Sequence, residues 1–283
     1  MINENYSIRK MLPGEIAIAL DFAAKEGWNP GIHDAESFYA ADPSGFFIGL
    51  IDDKPVSCIS AVAYDKDFGF LGLYIVKPEF REKGYGIEIW KKALSYLKTQ
   101  TVGLDGVEAQ QRNYKKSGFM PEYKNIRYKA VSKKFGDNPD DILPLSKIGF
   151  DKLAFYDDLI FPAKRHDFLR SWISQKESFA FGVLRKDVLV GYGVIRKCIS
   201  GYKIGPLFAD DEVTSDKIFM ALNNSIELGN AIFLDVPDIN IGALKLVKKH
   251  KMEFVFETAR MYNKKAPRVP IEKIFGVTTL EIG

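Results

Sequence analysis

The sequence predicts an α/β chain made of two similar halves, each a mostly antiparallel central sheet flanked by helices. Three observations carry this. Apolar runs joined by short turns alternate with helical patterns in the order βαα–βββ–α–β–α–β over the first half. A strand that stops at a proline runs through a basic, glycine-bearing turn into a helix. Sliding the chain against itself by 133 residues brings two hairpins into register.

Tyr6 to Arg9 reads as a short first strand. Pro13-Gly14-Glu15 opens a helix whose apolar residues Ile16, Ala19, Leu20 and Ala23 share one face, ending near Gly27. Asp34 is placed to cap a second helix reaching about Ala41. Phe46 to Ile51, Asp52-Asp53-Lys54-Pro55 and the run Val56 to Tyr64 form a hairpin, and Phe68 to Val76 continues it after a second turn. Beyond the glycine turn, Ile89, Trp90, Ala93, Leu94 and Leu97 recur at helical spacing. A strand at Thr101 to Asp105, a helix at about Val107 to Lys116 and a strand pair around Tyr123 to Val131 complete the half.

The turn is Arg81-Glu82-Lys83-Gly84-Tyr85-Gly86. Two residues without side chains let backbone N–H groups approach an anion, and the following helix aims its unpaired N–H groups and positive end at the same spot. The Gly-Lys-Ser/Thr of a P-loop is absent, and so is the third glycine of a dinucleotide fingerprint. A tight turn without a ligand is the bland alternative. The pattern Arg-x-x-Gly-x-Gly after Leu73-Tyr74-Ile75-Val76-Lys77-Pro78 resembles the pyrophosphate loop of the GNAT superfamily of N-acetyltransferases.

That resemblance implies acetyl-CoA as co-substrate. Arg81, Glu82, Lys83, Gly84, Tyr85 and Gly86 would hold its pyrophosphate, and Ile75 and Val76 would pair with its pantetheine arm. One of their N–H groups would also steady the oxyanion, since a preorganised donor in a dry site is worth several kcal/mol. Tyr114, four residues before Gly118-Phe119, matches the family's Tyr-x-x-x-Gly-Phe, whose tyrosine protonates the leaving thiolate. A tyrosine at a core edge is the structural alternative. The family's upstream Asn-x-x-Ala is replaced by Val107 and Gln110. Glu108, Asp105, Asp65, His33 or a water chain stand open as the amine base. His33, His166 and His250 are isolated, so there is no metal signature.

In the second half, Gly182 to Leu189 copies Gly49 to Val56, Gly205-Pro206-Leu207 copies Gly72-Leu73-Tyr74, and Thr258 to Met261 copies Asn125 to Tyr128. After a small shift Leu234-Asp235 meets Leu104-Asp105. The anion turn becomes Asp210 to Lys217, acidic and without glycine, and Val247 stands at the tyrosine position. Asn240-x-x-Ala243 survives. Residues 1–131 are therefore expected to be the active domain, 132–140 a polar linker and 141–283 a degenerate copy. Helical material from Phe155 to Trp172 is expected over the acceptor side. With Glu26 to Gly31, Asp42-Pro43-x-Gly45-Phe46 and Ile274 to Thr278, the whole chain resembles the tandem acetyltransferases that carry an atypical acetyltransferase-like C-terminal domain.

The 283 residues are 46% hydrophobic and 27% charged, with net charge +3. Neither half concentrates the positive charge of a nucleic-acid binder. No apolar run of about 18 residues marks a membrane span. Residues 1–6 lack the pattern of a secretory leader, and Cys58 and Cys198 read as buried free thiols, so a cytoplasmic location is expected. The reading is an acetyl-CoA-dependent N-acetyltransferase acting on a primary amine of a small molecule or peptide, without a metal. A non-catalytic acyl-CoA sensor or recruiting module is the alternative, and a longer acyl donor fits the same motifs. Trp28, Asn29, His33 and Phe155 are the candidates to line the acceptor pocket. Monomer and homodimer are not distinguished.

Overall fold

The computed structural model describes residues 5–98 and 100–283. The leader reading rests largely on residues 1–4, which lie outside that range. In chain order the first half comprises β1 (Tyr6–Lys10), α1 (Ile16–Lys25), α2 (Asp34–Ala41), β2 (Phe46–Ile51), β3 (Lys54–Ala63), β4 (Phe68–Val76), α3 (Tyr85–Tyr96), β5 (Thr101–Val107), α4 (Gln111–Lys116) and β6 (Met120–Val131). The second comprises β7 (Ile142–Pro144), α5 (Phe150–Asp158), α6 (His166–Trp172), β8 (Ser178–Arg185), β9 (Val188–Lys197), β10 (Tyr202–Ala209), α7 (Glu212–Asn224), β11 (Ala231–Pro237), α8 (Ile241–Lys249), β12 (Glu253–Tyr262) and β13 (Ile274–Gly276).

Strand alternation sorts the core into layers. Phe46, Ile48 and Leu50 face α1 and α2, whereas Phe47, Ile59 and Ala61 face α3. The inner layer of α1 and α2 continues into α5 and α6, with Phe38 stacked on Trp172 at 6.2 Å between ring centres. The helical material expected over residues 155–172 is thus the end of α5 and all of α6, and α6 packs on α2.

The halves are joined by an exchange of strands. The described strands form one sheet in the order β1-β2-β3-β4-β5-β12-β6-β11-β10-β9-β8-β7, with β13 attached to β10. Thus β12 completes the first half's sheet beside β5, while β6 completes the second half's beside β11. At the centre β6 and β12 pair antiparallel with Asn125 opposite Thr258, residues related by the 133-residue repeat. The expected strand pair at 123–131 is one long strand for this reason. It lies between β12 and β11 and has no hairpin partner of its own.

The exchange is locked by equivalent buried ion pairs. Arg127 on β6 grips Asp235 on β11 through two hydrogen bonds of 2.6 and 2.7 Å. Its repeat mate Arg260 on β12 grips Asp105 on β5 at 3.0 and 2.8 Å. Removing one partner would strand a buried charge, at a cost of about 3–5 kcal/mol. A third pair, Arg196 with Asp34, ties β9 to α2. Asp34 is thus the first residue of α2 rather than its cap, and its carboxylate also accepts from the Gly31 amide.

Candidate active site

In each half, one pair of neighbouring strands is parallel, and each such pair comes apart. β4 and β5 are paired from Phe68–Thr101 to Leu71–Leu104 and then diverge. β10 and β11 are paired from Tyr202–Ile232 to Ile204–Leu234 and then diverge. In β4 the divergence coincides with a bulge, where Leu73 and Tyr74 together oppose Ile59 and Leu73 adopts φ 46°. A left-handed leucine carries about 1–3 kcal/mol of strain, so it persists only where its surroundings enforce it. Here the Cys58 thiol donates to the Leu73 carbonyl at 3.1 Å. The inserted residue also switches faces: Leu71 points toward α3, Leu73 toward α1.

Past Leu71 the β5-facing edge of β4 is unpaired as far as Val76, and it borders a cleft of about 660 Å³. Ile75, Val76, Arg81, Glu82, Gly84, Gly86 and Tyr114 all line this cleft. Lys83 and Tyr85 do not: Lys83 donates to the Glu79 carbonyl, and Tyr85 packs on Tyr6. At the mouth, Gly84 sits at φ 94° ahead of α3, a conformation that favours glycine, and no side chain caps the helix. The first turn of an α-helix has no intrahelical acceptors for its amides, and Gly84 as the cap residue has no side chain to supply one. Arg81 leans across this mouth, its Nε on the Val76 carbonyl at 2.8 Å and its guanidinium paired with Glu26.

Deeper in, Trp90 of α3 lies between two tyrosines, with ring centres 5.2 Å from Tyr74 and 5.3 Å from Tyr114. Gly106 on β5 makes room for Tyr114, since a Cβ there would meet its ring at 2.9 Å. Burial raises the Tyr114 phenol, and the neighbouring Tyr74 raises it further. Burial likewise pushes Tyr74 up to about 12. Both hydroxyls thus keep their protons at neutral pH, and no described residue hydrogen-bonds the Tyr114 hydroxyl.

The far wall comes from other elements: Trp28, Arg127, Phe256 and Thr258, with Leu280 and Glu281 of the chain's final segment. Of the four acceptor-pocket candidates only Trp28 is here. Asn29 bonds to Ser200, His33 contacts Glu177, and Phe155 is 67% exposed outside the cleft. Among the base candidates, Asp105 lines the cleft, but both its oxygens are held by Arg260 and one also by Asn125. Asp65 caps its own turn through the amides of Asp67 and Phe68. Glu281, Phe256 and Trp90 were missed in the sequence. Trp90 carried a signal as the aromatic on the apolar face of α3, whereas the other two come from the half without the motif.

The equivalent place in the second half is filled. β13 pairs with β10 at Leu207 and Phe208, and the following Val277 amide donates to the Asp235 carbonyl of β11. The amide end of α7 is closed by Asp211, whose carboxylate accepts from the Thr214 amide at 2.7 Å. Val247 is buried on α8, and Asn240 caps that helix through the Ala243 amide. The surviving Asn-x-x-Ala is therefore a capping motif here.

Two family models match the chain, "Acetyltransferase (GNAT) family" over residues 16–119 and "Acetyltransferase (GNAT) domain" over residues 153–276. The holothin acyltransferase of Pseudoalteromonas sp. (strain SANK 73390) is 32% identical over 269 residues, covering 95% of this chain and 92% of that protein. The crystal structure of a putative acetyltransferase from Pyrococcus horikoshii superposes with TM-score 0.84 at 21% identity, covering 100% of this chain and 98% of the other. A tandem GNAT protein from the clavulanic acid biosynthesis pathway superposes with TM-score 0.63 at 10% identity, over 92% and 99%. At those identities both structures speak to the fold alone.

Proposed function

The chain belongs to the GNAT acetyltransferase family as a tandem member, and we propose that it transfers an acetyl group from acetyl-CoA to a primary amine in the cleft of the first half. The observation that carries this reading is the continuity of the cleft. An unpaired β4 edge, an α3 terminus without a side-chain cap and a protonated tyrosine all line one cavity. Its relative's name, holothin acyltransferase, supports acyl transfer.

Each group acts by ordinary chemistry. The first amides of α3 take the pyrophosphate, aided by the helix dipole. The edge from Gly72 to Val76 pairs with the amide groups of the pantetheine arm. Beside the strained backbone at Leu73, an N–H of β4 steadies the thioester oxygen, where charge develops during attack. As the C–S bond breaks, the sulfur takes the electron pair and the Tyr114 hydroxyl supplies its proton. The amine enters from the side walled by Trp28, Phe256 and Leu280 together with Arg127, Thr258 and Glu281, a mixed apolar and charged lining in a cleft of about 660 Å³ that suits a small acceptor better than a folded protein surface.

The test is thiol release from acetyl-CoA over a panel of alkyl, aryl and polyamine acceptors, with wild type and Tyr114→Phe. The expected result is turnover by wild type and a loss of about 10²–10⁴ in kcat for the variant at unchanged acetyl-CoA affinity. Tight CoA binding without turnover of any amine would instead support a sensor.

A further inference from the structure

Resting on the acyl-transfer reading above, we propose that Glu281, carried into the active cleft by the C-terminal segment, is the base that takes the proton from the acceptor amine. Leu280 and Glu281 line the same cleft as Tyr114 although they are among the last residues of the chain. They are fixed there from the first half: Ser60 Oγ donates to the Glu281 carbonyl at 3.1 Å and Tyr64 Oη to the Ile282 carbonyl at 2.7 Å. The Glu281 carbonyl lies so close to Gly72 that any Cβ there would overlap it. Gly72 immediately precedes the left-handed Leu73, so Glu281 stands beside the part of β4 that meets the thioester.

The side chain is 3% exposed, held through one carboxylate oxygen and without a hydrogen bond from a described residue at the other. Its Oε2 accepts from Thr279 Oγ1 at 2.6 Å. Its Oε1 faces Lys203 Nζ at 3.9 Å, too far for a hydrogen bond, and accepts none from a described residue. Lys203 is 1% exposed, and its ammonium also has no hydrogen-bond partner. The charged groups around this carboxylate are Lys203 from β10, Arg127 from β6 and Arg196 from β9. The two arginines are committed to Asp235 and Asp34, so among these three acids only Glu281 lacks an arginine. Burial works to raise the Glu281 carboxyl, but Lys203, Arg127 and the Thr279 hydroxyl outweigh it and hold it below its usual range. It is therefore ionised at neutral pH.

A carboxylate is a weak base, but the amine nitrogen becomes far more acidic once it bonds to the acyl carbon. The nitrogen lone pair forms the C–N bond, the N–H proton passes to Glu281 Oε1, and the C–S electron pair leaves on sulfur, which takes the Tyr114 proton. The proton on Glu281 returns through water to the tyrosine oxygen. Nothing is oxidised, and a neutral amine and a thioester become an amide and a thiol.

The experiment is kcat against pH at saturating acceptor, which removes the ionisation of the free amine from the profile, for the full chain with acetyl-CoA and phenethylamine, tryptamine, spermidine and aniline as acceptors, alongside acetyl-CoA titration and thermal melts. Glu281→Gln should keep acetyl-CoA affinity, lose about 10²-fold or more in kcat and lose the acidic limb of the profile. Lys203→Met should keep that limb but move it up by about one pH unit, because the carboxylate loses its nearest cation. A purely structural Glu281 would lower the melting temperature and scale all rates without moving the limb. Glu281→Gln activity within threefold of wild type overturns the proposal, as does a limb that Lys203→Met leaves in place. If Glu281→Gln fails to fold, the Lys203→Met profile decides alone. Wild type that binds acetyl-CoA but acetylates no amine defeats the acyl-transfer reading itself, and the base falls with it.

Discussion

The two halves share a strand order, a parallel strand pair that opens and a helix aimed at the opening, yet one opening is a cleft and the other is packed shut. In the first half the helix begins at a glycine with no side chain over its amides; in the second it begins at Asp211, whose own carboxylate occupies them. β13 lies between the diverging strands of the second half, where a pantetheine arm would lie in the first. Beyond β13 the same segment crosses Gly205 and then Gly72, which occupy equivalent positions in the repeat, and reaches the cleft of the first half. The degenerate half is thus no passive remnant. Its own site is closed by a segment that goes on to wall the other, and its strand β12 supplies Phe256 and Thr258 to the same wall.

The comparison can be broken by exchanging its parts. Gly84→Asp would place on α3 the carboxylate that Asp211 places on α7, at a backbone φ of 94° that disfavours a side chain. Loss of CoA binding by more than about 100-fold is expected, since one charged group is removed from its donors and a like charge added. Calorimetric titration reads it directly. Arg127→Met tests the interlock. It leaves Asp235 buried without its partner, so a loss of about 3–5 kcal/mol is expected in denaturant unfolding, with both halves melting together.

A smaller effect lies in pH. Burial opposes ionisation of Asp235 and Glu281, but Arg127 holds the first and Lys203 the second below their ordinary values. For acids depressed in the folded state, the stabilisation is complete above their unfolded values of about 4 and is lost as pH falls through the folded ones. Stability should therefore decline steeply below about pH 4, and Asp235→Asn, though less stable at pH 7, should show a shallower decline. Smallest is Asp211→Ala, which removes a helix cap at about 1 kcal/mol and should leave CoA affinity unchanged.

How far the sequence carried this reading varies with the range of the interactions. The hairpins, α1, α3 and β4 were legible because apolar period and turn residues are local signals. The repeat was legible because offset 133 preserves Gly72 with Gly205 and Arg127 with Arg260. The strand exchange was not, since β6 reads the same whichever half it joins. Asp34 looked like a cap because its partner Arg196 lies 162 residues away. The glycine turn and Tyr114 are short motifs, and Tyr114 lines the cleft with Arg81, Glu82, Gly84 and Gly86 of the turn. Glu281 has no motif. Only the path of the final segment past Gly72 brings it to the site.

The most direct measurement is the stoichiometry of CoA binding by calorimetric titration of the full chain. One site per chain, lost in Gly84→Asp and retained in Asp211→Ala, is the expected result. Two sites, or a single site that survives Gly84→Asp, would contradict the division between an open half and a filled one.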